Sequence, residues 1–162
     1  MALKDTLSSV RAAVKAHVVA AVPAGTPVYD YFREIKDEAT RKSLGLDSSS
    51  DYHLWMVSLN AEAPTRIVTR GANSEAFFRF DLHGWLRVND SDGSEKSLDA
   101  EACDVIDRFR TDKHLGGLAI DAWTASGSGQ AVSRVAGGWV TFTSVVCHYA
   151  RIDVTVRVVL EC

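Results

Sequence analysis

The sequence predicts an α+β fold, an antiparallel β-sheet with two α-helices packed on one face. Two observations lead to this prediction. The segment from Phe77 to Ile120 reads as strand, turn, helix and strand, and further strand patterns stand on both sides of it. Runs of strands separated by single helices are typical of α+β domains and not of parallel α/β sheets. A chain of 162 residues that is 46% hydrophobic and 24% charged is most simply one domain, residues 1–162.

The N-terminal third contains one helix pattern and three strand patterns. Apolar residues recur at spacings of four and three from Leu3 to Val18, which predicts an amphipathic helix that ends before the first proline. The stretch Pro27–Phe32 predicts a short strand. Tyr52–Leu59 is apolar on both parities and predicts a central strand covered on two sides. Thr65–Arg70 is a further extended segment.

The central segment joins a strand to the second helix. Every second residue from Phe78 to Val88 is apolar or glycine, as in a half-buried strand. The short polar residues Asn89–Ser94 then supply a turn. An apolar stripe predicts a helix over Ser97–Lys113, with Ser97 as its N-cap. Gly116-Gly117 would end this helix in the left-handed conformation, after which Leu118–Ile120 re-enters the sheet.

The C-terminal segment predicts a hairpin and a long final strand. Val132–Val135 and Trp139–Val146 are strand patterns joined by Gly137-Gly138, which predicts a hairpin with a glycine turn. The apolar alternation then continues through Ile152–Leu160. One unbroken strand from Trp139 onward would exceed almost any natural strand, so we predict a bulge or bend near His148–Ala150.

Composition narrows the classes of partner. The formal net charge of −3 gives no electrostatic reason to expect nucleic acid or an anionic membrane as the main partner. The three cysteines are odd in number and lack CxxC spacing, so a reducing compartment fits better than a disulfide scaffold. The first residues lack the apolar core of a signal peptide, and no apolar run reaches the roughly 18 residues of a membrane span. We therefore expect no membrane association.

Motifs for catalysis, metals and cofactors are absent from the sequence. It contains no nucleophile elbow, no dinucleotide fingerprint and no Walker lysine. Cys147 and His148 are adjacent on a strand, so they point to opposite faces and would not share a metal ion. Cys103 is predicted to be a small core residue. Asp81 and His83 share one strand face, so they could form an acid–base pair. On such a face, charge pairing with a residue of the neighbouring strand is more common. We predict no catalytic residue, metal site or cofactor.

Surface residues are the remaining candidates for function. Phe77, Trp85 and Trp139 are predicted on the parity opposite the best apolar faces. Aromatic residues on a polar sheet face often mark a protein–protein contact, and the alternative is a core covered on both sides by loops. The polar stretch Arg33–Asp51 predicts a long loop that orders on contact with a partner. The acidic candidates for such a contact are Asp37, Asp47 and Asp51.

The order of these elements resembles that of the tail-terminator (tail-completion) proteins of long-tailed bacteriophages and of related neck proteins. The similarity covers most of the chain, although Arg33–Asp51 is longer than the usual loop at that place. The segments that carry the resemblance are, in chain order, the opening helix, Val28–Tyr31, Phe77–Val88, Ser97–Lys113, the exit His114–Leu118 and the alternating strand Ile152–Leu160.

The resemblance implies a small α+β subunit that assembles into a ring, usually a hexamer. Such a ring sits on the last ring of tail-tube protein, ends its polymerisation and docks to the head connector protein. It implies no catalysis and no cofactor. The location would be the virion tail or neck after assembly in the host cytoplasm, with genomic DNA passing through the lumen without specific binding. A mildly acidic chain is compatible with that lumen, because a basic lining would bind DNA.

A ring requires heterologous contacts between subunits, related by a rotation that brings the last copy back to the first. The surface candidates Phe77, Trp85, Trp139, Asp37, Asp47 and Asp51 would lie at such subunit contacts or at contacts with the tube. Two alternatives remain open at this point. The first is a head-side connector or stopper neck protein. The second is a small soluble α+β ligand-binding domain or enzyme with a pocket between sheet and helices.

Overall fold

The computed structural model describes residues 3–32, 39–40, 52–60, 65–70, 73–89, 91, 93–119, 132–142 and 145–160. No helix in these ranges combines the length and the apolar character needed to cross a membrane. The elements are, in chain order, α1 (Leu3–Ala21), β1 (Val28–Tyr29), β2 (His53–Leu59), β3 (Thr65–Arg70), β4 (Asn73–Arg87), α2 (Ser94–Thr111), β5 (Val132–Phe142) and β6 (Val145–Leu160).

The strands form one six-stranded sheet with two long strands at its centre. The strand order is β1-β2-β4-β6-β5, and β3 pairs with β4 beyond the end of β2. Only the short β1–β2 pairing is parallel among these described strands. β4 has 15 residues and β6 has 16, and the two strands are antiparallel. Their pairing extends from Ser74 opposite Leu160 to Arg87 opposite Cys147. This pair is the axis of the sheet.

Both helices pack on one face of this sheet, as the sequence predicted. Residues opposite each other in antiparallel strands project to the same face, so the register divides the sheet into two faces. We call the side that meets α1 and α2 the helix face and the other side the second face. One continuous core lies between the helix face and the two helices. The sheet contributes Trp55, Val57, Ala76, Phe78, Phe80, Leu82, Ala150, Ile152, Val154, Val156 and Val158. The helices contribute Val10, Val14, Val18, Leu98, Ala102, Val105 and Phe109.

The second face is mixed in character. At one end it holds a smaller apolar cluster, formed by Tyr52, Leu54, Met56, Trp85 and Cys147. Along β4 and β6 it carries charged and polar side chains instead. β2 is therefore covered on both faces, as predicted, but it is not central in the sheet, because it lies beside the short edge strand β1 while β4 and β6 occupy the centre.

The ends of α2 differ from the prediction. The helix begins at Ser94 and not after Ser97, because Gly93 adopts the left-handed conformation (φ 62°) and turns the chain directly into the helix. Its last residue is Thr111, so Gly116-Gly117 does not cap it. Those glycines lie in a later turn, where the Asp112 carboxylate accepts the Gly116 N–H. The residues after the glycines form a turn and no strand as far as Ala119, and Ile120 is outside the described residues.

The predicted C-terminal hairpin is also wrong. Gly137-Gly138 lies inside the single strand β5 and pairs with β6. The irregularity expected near His148–Ala150 falls instead on β5, between Arg134 and Ala136. β6 stays regular because β4 pairs with it along nearly its whole length. Among the described strands β5 pairs with β6 alone, so it can absorb the extra residue.

One close approach joins the sheet to α2. Gly84 of β4 lies directly opposite Trp55 of β2, whose side chain is fully buried. A Cβ built at Gly84 would come within 2.7 Å of the indole carbon Cζ2 of Trp55. The indole N–H of Trp55 donates to the Glu101 carboxylate of α2 at 3.2 Å. Glycine at position 84 therefore leaves the space that this indole occupies.

We expect Gly84→Ala to lower the free energy of unfolding by about 1–3 kcal/mol, the usual range for a side chain forced into a packed core. Chemical denaturation of both proteins measures the difference. In a Trp55→Phe background the same substitution should cost less, because the clashing indole carbons are gone. An equal cost in both backgrounds would show that the indole is not the obstacle.

Candidate functional site

The aromatic candidates on the second face are in place, but they differ in exposure. Phe77 is half-buried, and the Arg157 guanidinium carbon lies 5.9 Å from its ring centroid. Trp85 is only 4% exposed and belongs to the smaller apolar cluster, so it has almost no surface left for a partner. Both lie on the predicted face, because their parity opposes the helix face. The acidic candidates Asp37, Asp47 and Asp51 are outside the described residues.

Trp139 does not share that face. It lies opposite His148 in β6, which lies opposite Leu86 in β4, so all three side chains are on the helix face. The prediction failed because it assigned Trp139 to a hairpin arm, whereas the residue belongs to a long strand whose register β6 sets. Trp139 is 72% exposed at the open edge of the sheet. Val146, also exposed, is on the same face two residues before His148.

Three ion pairs cross from β4 to β6 on the second face, within the described part of the chain. In each pair the carboxylate side chain is 10–15% exposed and the guanidinium 29–43% exposed, so the arginines cover the acids. Asp81 is thus in a cross-strand charge pair, as the sequence predicted. The pairs are Glu75–Arg157, Arg79–Asp153 and Asp81–Arg151.

The centre of this ladder holds two facing carboxyl groups. Asp81 and Asp153 are directly opposite in the β4–β6 register. The Asn60 side-chain amide donates to both oxygens of Asp81, at 3.1 and 3.0 Å. Asp153 Oδ1 is buried and accepts no hydrogen bond among the described residues. A proton shared between the two acids would satisfy that oxygen, since a protonated carboxyl donates.

The electrostatics of the site shift the pKa values of the two acids in opposite directions. Burial, and then the hydrogen bond with Asp81, raise the pKa of Asp153 against the opposing effect of Arg79. Burial also acts to raise the pKa of Asp81, but hydrogen bonds from Asp153, Asn60 and Arg151 outweigh it and the net shift is downward. Two acids in one desolvated site cannot both ionise cheaply, so their pKa values separate.

His83 lies beside the pair but does not bond to Asp81. Its Nδ1 is 2.8 Å from the Tyr149 hydroxyl, and its Nε2 is 3.1 Å from the Ser58 hydroxyl. Phe32 meets the imidazole edge-on, with ring centroids 5.4 Å apart. Burial lowers the pKa of His83, although Asp81 acts in the opposite direction. A neutral imidazole with both nitrogens bonded is a structural link and not a free base.

The cysteines and the metal-binding side chains add no reactive centre to the described region. Cys103 is exposed on α2, so the prediction that it is a core residue is wrong. It lies beside the apolar stripe of the helix and not within it. Cys147 is buried, and burial raises the pKa of its thiol to about 11. Within the described ranges, no group of three or more His, Cys, Asp or Glu residues is placed to hold a metal ion.

A second cluster lies where α2 begins, and sequence reasoning missed it. His53 Nε2 is 2.8 Å from Glu101 Oε2, which also accepts the Trp55 indole N–H. Glu101 is a charged residue on the apolar stripe of α2, three residues after Leu98 and one before Ala102. A charge in such a stripe is a signal that the sequence contained. The residue that would meet Glu101 is 48 positions away and could not be read from spacing.

We expect the Asp81–Asp153 pair to control how stability depends on pH. The raised pKa of Asp153 means that its protonated form stabilises the fold fully below the ordinary value of 3.8, and this contribution is lost as pH rises through the folded-state pKa. In Asp153→Asn the side chain is neutral at every pH. The unfolding free energy of the variant should therefore rise relative to wild type between pH 3.8 and neutrality.

Denaturant unfolding at a series of pH values measures this difference. Asp107→Asn is the matched control, because Asp107 is an exposed acid that also bonds an arginine. Asp81, with its lowered pKa, contributes stability that is lost as pH falls, which is opposite in direction to the contribution of Asp153. Parallel pH profiles for wild type and Asp153→Asn would contradict the shared proton.

Comparison with known proteins places the chain in no family. No family model matches it. No curated protein matches it either. The function proposed below therefore rests on the element order of the sequence and on the surfaces that the structure describes.

Proposed function

We propose that this chain is a phage tail terminator, a subunit that forms a ring, caps the tail tube, ends its polymerisation and provides the surface for head docking. Its partners would be further copies of itself, the tail-tube protein and the head connector protein, with genomic DNA passing through the lumen without specific binding. The protein would be part of the virion tail or neck, and we assign it no catalytic role. The α+β architecture with both helices on one face is compatible with this family.

The observation that carries the proposal is the exposed edge of the sheet at β5. This strand has 11 residues and pairs only with β6 among the strands that the structure describes. Trp139 stands on it with 72% of its surface exposed, beside the exposed Val146. Stable monomers usually protect long edge strands with charges, prolines or covering loops, since an open edge pairs with other chains. A tryptophan is also a typical centre of an interface.

The opposite edge of the sheet offers a matching surface. There β3 pairs with β4 on one side, and it carries the exposed Ile67. Ile67 lies opposite Ala76, so it is on the helix face, as Trp139 is. A contact between β5 of one copy and β3 of the next joins two different edges. Such a contact is heterologous, the kind that closes into a ring when the rotation permits.

The second face carries side chains that are suited to contacts with the tube or the head. Its outer layer is made of arginines held by buried acids, together with Tyr149 and the exposed Phe32. Arginine and aromatic residues are enriched at protein interfaces. A guanidinium fixed by a carboxylate loses less conformational freedom on binding than a mobile one. A head-side connector or stopper would use the same features, and it is the alternative within this class.

The alternative from another class is a small ligand-binding domain or enzyme. The observation in its favour is the cavity beside His53 and Glu101. Native mass spectrometry separates the two classes, because a terminator has to form a ring and a ligand-binding domain does not. A closed ring, formed alone or on added tail-tube protein, supports the terminator. A chain that stays monomeric with tube protein present would overturn it.

We expect Trp139→Lys to abolish ring formation while the subunit stays folded. The side chain is mostly exposed, so its loss costs little folding free energy, whereas a charge on an edge strand opposes pairing with another chain. Ile67→Lys should have the same effect from the other edge. Native mass spectrometry reports the oligomer, and circular dichroism reports the fold.

Val19→Lys is the control, because Val19 is an exposed apolar residue that lies on α1 and not on β3 or β5. It should leave the ring intact. A tail-tube polymerisation assay provides a second measurement: wild-type protein should limit tube length, and Trp139→Lys should not. Rings of unchanged mass in both edge variants would show that the edges are not the contact.

A further inference from the structure

A cavity of about 240 Å³ opens at the start of α2, on the helix face. Leu86 of β4 provides an apolar wall, and the first turns of α2 provide the polar side chains. Arg87 also lines the cavity, but its register partner is Cys147, so its side chain belongs to the second face. Among the described residues, the cavity is lined by His53, Leu86, Arg87, Asn89, Ser94, Ser97 and Glu101.

Glu101 is held in one orientation inside this cavity. Its Oε2 accepts from His53 Nε2 at 2.8 Å and from the Trp55 indole N–H at 3.2 Å. His53 Nε2 therefore carries a hydrogen, and the other ring nitrogen, Nδ1, lies 3.4 Å from the Thr26 hydroxyl. Both donors are on β2, and the sheet holds them in place. The carboxylate is thus oriented before any ligand arrives.

The other oxygen, Glu101 Oε1, has no hydrogen-bond donor among the described residues. The side chain is 10% exposed, so water compensates this oxygen only in part. The cavity therefore holds a carboxylate oxygen that lacks a donor and is largely withdrawn from water. A group with N–H donors and a positive charge would satisfy the oxygen and offset the charge together, and charge-assisted hydrogen bonds are stronger than neutral ones.

We propose that this cavity binds a small organic cation, with an ammonium group of the ligand donating to Glu101 Oε1. Ser97 supplies a further oxygen acceptor in the lining, and Leu86 offers an apolar surface for methylene groups. The cavity volume corresponds to roughly eight water molecules at about 30 Å³ each, enough for a short alkyl diamine. This site is independent of ring assembly and goes beyond the proposed function.

Two kinds of ligand carry an ammonium group of this type. One is a free diamine such as putrescine, and the other is the side chain of a lysine on another protein. Nα-acetyl-lysine methylamide represents the second source, because its backbone amides are blocked and only the side chain is charged. Tighter binding of putrescine identifies a small-molecule site. Tighter binding of the lysine derivative identifies a site for a protein side chain.

Isothermal titration calorimetry of the full chain tests the proposal. Putrescine should bind, and butane-1,4-diol, which has the same chain length and no charge, should bind at least roughly tenfold more weakly. Glu101→Gln keeps the shape of the side chain and removes its charge, so putrescine affinity should fall by a similar factor. Asp107→Asn removes an exposed acid from the same helix and should leave affinity unchanged.

Nitrogen-15 NMR provides a readout that does not depend on a folded variant. The Trp55 indole N–H donates to Glu101 Oε2, so its resonance should shift when a cation binds at Oε1. Putrescine should move this resonance, and the diol should not. Failure of putrescine and of the lysine derivative to bind wild type at millimolar concentration would overturn the proposal. Unchanged affinity in a folded Glu101→Gln variant would also overturn it.

Discussion

The pairing of β4 with β6 is the constraint on which the rest of this structure depends. The two strands run antiparallel over almost their whole lengths, and β2, β3 and β5 attach to them. Because opposite residues project to the same face, one register decides the environment of every side chain on both strands. A slip of one residue would move Phe78 and Val156 out of the core and bring Arg79 and Asp153 into it. The hydrophobic alternation excludes that slip.

The two faces then stabilise the sheet in different ways. The helix face buries a continuous apolar core against α1 and α2, which is the main favourable term in folding. The second face instead places acids beneath arginines, and two of those acids meet between the strands. Such pairs add little net stability, because desolvation opposes attraction. Their contribution is geometric: they hold arginines at the surface in defined positions. The edge of the sheet at β5 and the cavity beside α2 lie outside this pairing.

Much of the fold was predictable from local patterns. The apolar spacing of α1 and the alternation in β4 each specify one element and the side that it buries. The wrong details were those that depend on a neighbour. Gly137-Gly138 was read as a turn, but pairing with β6 makes it part of a strand. The start of α2 was set by the backbone conformation of Gly93, and Ser97, which the pattern favoured as the cap, lies inside the helix.

The sequence by itself determined the fold class and the faces of β4 and β6, because these follow from the order of the elements and from the periodicity within each strand. Only the tertiary structure decided that Trp139 stands exposed at an edge, that Trp85 is buried, and that His53 meets Glu101. The physical reason is that exposure and long-range contacts depend on which strands become neighbours. Periodicity gives the direction of a side chain, and the packing of other elements decides what it meets there.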